Sequence, residues 1–549
     1  MLNQSVSKCT DMKISVKLLC LVITACCLVS SCQCDNKKEK FKILGLFPHR
    51  GQSHFDVFIP LLEELAHRGH ELTVLSYFPR KVKIPNYKDI SLVDSSGIFV
   101  NVIDLNLVDH SAFRVASELI MLYDYAQSSC NAVFEKPSVK ELIKSDEKFD
   151  LIIMEVFNTD CLLGFVHKFK APFIGLSSHQ IMPWANHRLN NPDNPSYISN
   201  AFTFSPPKMS FFERVQNTLY GITAEIVYEI FFNGAAQALV EKAFGPGVPP
   251  LRDFSKNMSA LLVNTHFSLH GSRPYSQGIV EIGGLHIRGN KPLPKNIQDY
   301  LDSSKEGVLF FSWGSMVRAT TLPKEKLDTI IKVLGSLKQN VIWKWEDEDL
   351  PNKPKNVMIL KWLPQFDILS HPNVKGFLTH GGLLGLSEGI HVGVPMVIVP
   401  MFGDQFHNAA AAAGRGAAIV LEYENITENS LGYALNEILN NPSYRKNCQA
   451  VSEAYRDRPA SALETAVWWT EYIARGKGQP FLSSASANLS WFQYHLLDVI
   501  AFLSLVTLGF LFVAVFAIKC LLKTLCGKKE GRTPKANGVK KNGNDKKRV

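Results

Sequence analysis

Short apolar strands that alternate with loops and amphipathic helices constrain this chain more than any other feature. Phe41-Lys-Ile-Leu-Gly-Leu-Phe47 reads as a strand, Pro48 to His54 as a polar loop, and Phe58, Leu61, Leu62 and Leu65 as one face of a helix closed by Gly69. Glu71-Leu-Thr-Val-Leu-Ser76 is the next strand. Strands separated by crossover helices pair in parallel, so the pattern demands an α/β sheet covered on both faces. It recurs at Asp150–Met154, a helix from about Asp160, and Pro172–Leu176. After Gly283-Gly284 and a Gly/Pro/Lys-rich stretch ending near Pro294, a second series follows: Val308–Ser312, Val341–Lys344, Val357–Leu360, Gly376–Thr379 and Met396–Val399. With 549 residues the chain exceeds what one core usually organises. The expected fold is therefore two doubly wound, Rossmann-like α/β domains that face a cleft.

The richest stretch is Trp362 to Gln405, with Trp362-Leu-Pro-Gln365, His380-Gly381-Gly382, Ser387-Glu388-Gly389 and Phe402-Gly403-Asp404-Gln405. His380-Gly381-Gly382 follows a strand and precedes a helix. Glycines there let a diphosphate approach the free amides at the helix N-terminus, and His380 can donate to a phosphate oxygen. Glu388 lies about two turns on and suits ribose hydroxyls. Asp404-Gln405, past a buried strand, suits vicinal sugar hydroxyls. Trp362 offers a flat face for a base, and Gln365 a bond to its ribose.

In order and spacing these residues resemble the signature of the inverting UDP-glycosyltransferases, which have the GT-B fold, and the whole chain looks closest to the arthropod branch. The resemblance implies that Trp362 stacks on uracil and that His380 with neighbouring amides holds the diphosphate. Glu388 then binds ribose and Asp404-Gln405 the sugar. Gln365, Gly381, Gly382 and Gly385 complete the donor site, and Ser315 matches a phosphate-contacting position. Leu383-Leu384 departs from relatives that carry polar residues there. His54, after Ser53, matches the family's general base, which takes the acceptor's proton in a single inverting displacement. Its carboxylate partner is open between Asp160 and Glu155, with a narrow preference for Asp160. Arg456 to Pro459 and Val467-Trp-Trp469 resemble the helix that returns to brace the amino-terminal domain.

The resemblance implies a hexosyltransferase that moves sugar, by expectation glucose, from a UDP-sugar to a small lipophilic acceptor, a role suited to detoxification. Glucuronic acid or N-acetylglucosamine as donor sugar, and a non-catalytic ligand carrier, are the alternatives. No cofactor or metal is expected. Glu346 to Asp349 contains an Asp-x-Asp-like pattern but reads as a solvated loop, and neither zinc spacing nor a P-loop is present. Phe202 to Phe232, rich in Phe and Tyr, fits an acceptor pocket, a membrane surface or core packing alike.

The ends speak to compartment. Ile14–Val29 is a mostly apolar run with Lys8 and Lys13 on its amino side, Lys17 near its start and small residues after it, the grammar of a secretory signal. Val499–Ile518 is free of charge for 20 residues, enough to span a bilayer. The net charge of +9 invites a nucleic-acid reading, but the segment from Lys519 to Val549 carries 11 basic and 2 acidic residues, and the rest balances to zero. The charge thus marks a cytoplasmic side and excludes nucleic acid as a partner. Lys546-Lys547 resembles a dilysine retrieval signal, giving a single-pass type I protein of the endoplasmic reticulum membrane with a luminal body. Six of 11 cysteines lie at or before Cys34, so Cys130, Cys161 and Cys448 form no disulfide framework in that body. Asn257, Asn425 and Asn488 are glycosylation acceptors if exposed. A homo-oligomer is left open.

The expected organisation is a signal at 1–34, an acceptor-binding domain at 35–285, a linker at 286–295 and a donor-binding domain with returning helix at 296–487. A membrane-proximal segment at 488–498, a transmembrane helix at 499–518 and a basic tail at 519–549 follow.

Overall fold

The computed structural model describes residues 39–93, 97–108, 111, 113–204 and 208–526. The signal at 1–34 and the tail from 527, with Lys546-Lys547, lie outside the described residues. The chain divides into a body ending at Ser484 and a C-terminal unit from Ala485.

The body holds two parallel sheets. The first contains β1 (Lys42–Phe47), β2 (Glu71–Ser76) and β3 (Tyr87–Ser91). The short β4 (Ile103–Asp104) pairs elsewhere, and β5 (Leu151–Glu155), β6 (Phe173–Ser177), β7 (Ala260–Val263) and β8 (Ile279–Glu281) complete the sheet. Its order is β3-β2-β1-β5-β6-β7-β8, every neighbour parallel. The second sheet contains β9 (Val308–Ser312). After β10 (Val317–Arg318) it continues with β11 (Asn340–Lys344), β12 (Val357–Leu360), β13 (Val374–Thr379), β14 (Met396–Ile398) and β15 (Ala418–Val420), in the order β12-β11-β9-β13-β14-β15. Central strands are buried along their whole length, as Leu151–Glu155 and Val308–Ser312 show. That is why they read as continuous apolar runs rather than alternating ones.

Strand order reverses between β1 and β5 in the first sheet, and between β9 and β13 in the second. Open α/β sheets bind ligands outside the carboxyl ends of their strands at such a reversal. Each reversal therefore supplies half a site. The halves are joined by a two-stranded pairing of β4 with β10, from opposite domains.

Helices cover both faces. α1 (Gln52–His67) buries Phe55, Phe58, Leu61, Leu62 and Leu65 against β1 and β2, the face that the sequence pattern announced. Truncating one of these, such as Leu61→Ala, costs about 2–5 kcal/mol in a packed core. α2 (Arg114–Glu135) and α3 (Phe211–Val227) follow in the first half. α4 (Leu383–Val392) and α5 (Gln405–Gly414) follow β13 and β14 in the second. α6 (Ala462–Arg475) returns and packs Ala466, Val467 and Ile473 into the cluster that holds Phe55 and Leu61. Its Glu471 reaches His70 at 3.3 Å.

The stretch from Phe202 to Phe232 divides among its three readings. Phe202 is buried on the cavity wall, Tyr228 and Phe232 pack with Trp184, and Phe211, Phe212, Leu219, Ile222 and Ile226 stand exposed. Cys130 and Cys161 form a disulfide that ties α2 to the loop after β5. The sequence reading, which saw no framework, missed this pair. The acidic stretch Glu346–Asp349 is a bend, with Asp347 to Asp349 exposed. Asn257 and Asn425 are exposed; the side chain of Asn488 lies outside the described set.

In the C-terminal unit, α7 (Leu497–Cys526) is a 30-residue apolar helix, long enough to cross a membrane. At about 1.5 Å per residue it exceeds the thickness of a hydrocarbon core.

Candidate active site

The two strand reversals face each other across a cavity of about 620 Å³. From the first half it is lined by His49, His54, Glu118, Met121, Leu122, Phe157, Met182 and Phe202. From the second come Ser315, Trp362, Gln365, His380, Gly382, Gly385, Glu388, Asp404 and Gln405. Every donor-side residue picked from sequence except Gly381 lines this space. Gly381 lies just behind, in the turn between β13 and α4.

His54 follows β1 in the first turn of α1, and Glu155 ends β5, so the reversal of the sheet brings them together. His54 Nδ1 donates to Glu155 Oε1 at 2.7 Å, with Ser178 Oγ at 3.0 Å. Fixing Nδ1 in this way leaves Nε2 as the basic nitrogen. Burial pushes the His54 imidazole down to about 3 and the Glu155 carboxyl up. The imidazole is therefore neutral at neutral pH, the form that accepts a proton. His49 stacks on His54 with ring centroids 3.7 Å apart, and His179 lies edge-on at 6.0 Å.

The preference for Asp160 as the partner of His54 is corrected. Asp160 is 1 % exposed and pairs with Arg188, equally buried, at 2.9 Å. A buried guanidinium requires a carboxylate, and Arg188 has taken this one. Asp160 holds the local fold, while the strand-end Glu155 holds the histidine.

On the donor side, β13 delivers His380 to the mouth of α4. Gly381 has φ +84°, open to glycine at little cost, and Gly314 opposite has φ +76° with no room for a Cβ beside the His380 ring. The N–H groups of Leu383, Leu384 and Gly385 begin α4 and have no acceptor within the helix. Burial and the neighbouring Lys344 push His380 down to about 4, so it is a neutral donor. Lys344 lines the same wall and places a cation beside it.

Trp362 is 59 % exposed, an indole that the core does not claim. Gln365 Nε2 donates to Glu388 Oε2 at 2.7 Å, so the two are set as a unit. Burial pushes Glu388 up to about 7. The buried His286 approaches its other oxygen at 3.7 Å. Asp404 Oδ2 accepts from Asn408 Nδ2, which also donates to Gly381 O. Asn408 thereby ties the loop after β14 to the turn between β13 and α4. Burial pushes Asp404 up to about 6. Gln405 Oε1 accepts from the N–H groups of Met401 and Phe402, so its oxygen shapes the loop and its amide nitrogen remains as donor. Leu383 and Leu384 are explained by packing: Leu383 enters the second-domain core, and Leu384 meets the cluster around α1.

Sequence reasoning missed Glu118, Ser178, Lys344 and Asn408. The helical spacing of Glu118 with Met121, Leu122 and Tyr125, all on the cavity wall, is the signal that was there to find.

Such an arrangement can remove a proton on one side of a cleft and stabilise a leaving diphosphate on the other. Comparison with known proteins agrees. The family model for UDP-glucoronosyl and UDP-glucosyl transferases matches residues 46–533. UDP-glycosyltransferase UGT5 of Dactylopius coccus is 39 % identical over 508 residues, covering 91 % of this chain and 96 % of that relative. UDP-glucosyltransferase 2 of the same insect is 38 % identical, with 88 % and 93 % covered. UDP-glucuronosyltransferase 1A8 of Rattus norvegicus is 33 % identical, with 84 % and 88 % covered. Among solved structures, the calicheamicin glycosyltransferase CalG4 shares the fold, with a TM-score of 0.55 at 17 % identity over 80 % of this chain and 99 % of its own. A fold of two facing α/β domains, a donor-side motif on one wall of their cleft and relatives matched over nearly their full length together establish that this chain belongs to the UDP-glucuronosyl and UDP-glucosyl transferase family and is a glycosyltransferase.

Proposed function

We propose that the protein transfers glucose from UDP-glucose to a hydroxyl of a small lipophilic acceptor, with inversion at the anomeric carbon. The observation that carries this reading is the opposition, across one cavity, of the His54–Glu155 pair and the Trp362-to-Gln405 donor set. The acceptor side is lined by Met121, Leu122, Phe157, Met182 and Phe202, which suits an apolar molecule.

His54 Nε2 takes the acceptor's hydroxyl proton while Glu155 stabilises the imidazolium that forms. The acceptor oxygen attacks the anomeric carbon, the bond from that carbon to the diphosphate oxygen breaks, and UDP leaves with the electron pair. Its charge is met by His380, the first N–H groups of α4, Lys344 and Ser315, groups already oriented before reaction. Trp362 stacks on uracil, Gln365 and Glu388 hold ribose, and Asp404 with the Gln405 amide nitrogen holds the hexose. No step is routed through a metal or a cofactor.

We assign α7 as the membrane anchor of a luminal endoplasmic-reticulum body, supported by its uncharged span and the basic residues from Lys519. Microsomes carrying the full chain, incubated with labelled UDP-sugars and a panel of phenols, test the proposal. A glucoside identified by mass spectrometry is the expected product. Absence of transfer with every donor and acceptor overturns it.

A further inference from the structure

The donor motif lies wholly in the second domain, yet one carboxylate of the first domain reaches into its sugar end. Glu118, on α2, is 6 % exposed and lines the cavity. Its Oε1 accepts from the backbone N–H of Gly403 at 3.1 Å, the residue immediately before Asp404. The same oxygen accepts from Arg114 at 2.7 Å, one helical turn back. Arg114 in turn donates to Phe202 O at 2.9 Å and lies 3.8 Å above the ring of Phe406. One ion pair thus connects the acceptor wall, through Phe202, to both sides of the Asp404-Gln405 loop.

Two consequences follow for a bound sugar. A hexose that meets Asp404 lies beside a second carboxylate, so Arg114, Glu118 and Asp404 together leave that end of the cavity net negative when all are ionised. Two carboxylates accept hydrogen bonds from hydroxyls, but repel a third carboxylate in a space shielded from water. A glucosyl C6 carries a hydroxyl, and a glucuronosyl C6 carries a carboxylate.

We propose that Glu118 is a specificity residue for the donor sugar: it latches the sugar-binding loop across the cleft and, with Asp404, selects a neutral hexose over a uronic acid. This rests on the donor-site reading above. A purely structural ion pair would hold the loop without setting the choice of sugar.

The test is competition binding of UDP, UDP-glucose and UDP-glucuronic acid to the full chain in detergent, with fluorescent UDP as probe. Wild-type protein is expected to prefer UDP-glucose. Glu118→Gln keeps an oxygen for Gly403 N–H, removes one negative charge and leaves Arg114 uncompensated. It is expected to shift the affinity ratio toward UDP-glucuronic acid by about tenfold or more. Glu118→Asp keeps the charge and is expected to keep the preference, even where the shorter side chain loosens the latch and weakens both sugars. Affinity for UDP itself, which lacks the sugar, reports that each variant is folded. A ratio unchanged in Glu118→Gln, or moved equally by Gln and Asp, overturns the proposal. Failure of wild-type protein to bind any UDP compound instead overturns the donor-site reading on which it rests.

Discussion

Replacing Glu155 by Gln tests the chemistry at the point where it is most exposed to refutation. The substitution keeps size and a hydrogen-bond acceptor for His54 Nδ1 but removes the charge that faces the imidazolium during transfer. Glu155 is 4 % exposed, and its oxygen lies 2.7 Å from Nδ1. With charge centres about 4 Å apart and an effective dielectric constant near 20, the lost attraction is about 4 kcal/mol. The neutral hydrogen bond retained recovers about 1 kcal/mol. The remaining ~3 kcal/mol lowers kcat by roughly 10²-fold. The loss belongs to the chemical step, so affinity for UDP stays within about twofold, because the nucleotide binds on the opposite wall. Coupled UDP-release kinetics on purified protein at saturating donor, with fluorescent-UDP titration as control, measure both quantities. A kcat within threefold of wild type would show that the His54–Glu155 contact does not serve the reaction, and the assigned base would fall with it.

Three further outcomes are expected. Asp160→Asn breaks a fully buried ion pair with Arg188, which costs about 3–5 kcal/mol and lowers Tm, while kcat per folded molecule stays near wild type; a large fall in kcat with unchanged Tm contradicts the structural assignment. Trp362→Ala removes an exposed indole, so UDP affinity falls about tenfold or more, the value of one stacked base, while Tm barely moves; unchanged affinity removes Trp362 from the donor site. Glu388, held up to about 7 by burial, keeps its proton where the unfolded chain has released it, so the folded state binds more protons between about pH 4 and 7. Ligand-free stability therefore falls as pH rises through that window, by about 3 kcal/mol from this group, and Glu388→Gln flattens the fall in urea titrations; an identical pH profile in the variant refutes the burial argument.

How much of this was legible in the sequence depends on the reach of each interaction. Strands such as Val308–Ser312 were read at their full extent because buried parallel strands leave unbroken apolar runs, and Val357–Leu360 was read from its apolar residues although it is a half-buried edge strand. Tyr87–Ser91 and Ile279–Glu281 were not, because edge strands are half-exposed and carry polar residues. Ala260–Val263, a four-residue apolar run, was missed as well. The candidate donor residues were legible because all but Ser315 fall in one stretch, Trp362 to Gln405, at the ends of successive strands of one sheet. The choice between Glu155 and Asp160 was not, because it turns on Arg188, 28 residues further on, whose burial no local pattern announces. The Cys130–Cys161 bridge joins residues 31 apart, and the Glu118–Gly403 bond joins residues 285 apart across the cleft. Contacts of that kind exist only once both sheets are in place.

The account's central claim is that the two walls of one cavity carry out a single displacement on the anomeric carbon. The most direct measurement is the anomeric configuration, by proton NMR, of the glycoside that the full-length protein forms from α-linked UDP-glucose and a simple phenol. A single attack from the His54 side predicts the β-glucoside and none of the α form. An α-glucoside, or free glucose with no glycoside, would contradict the account.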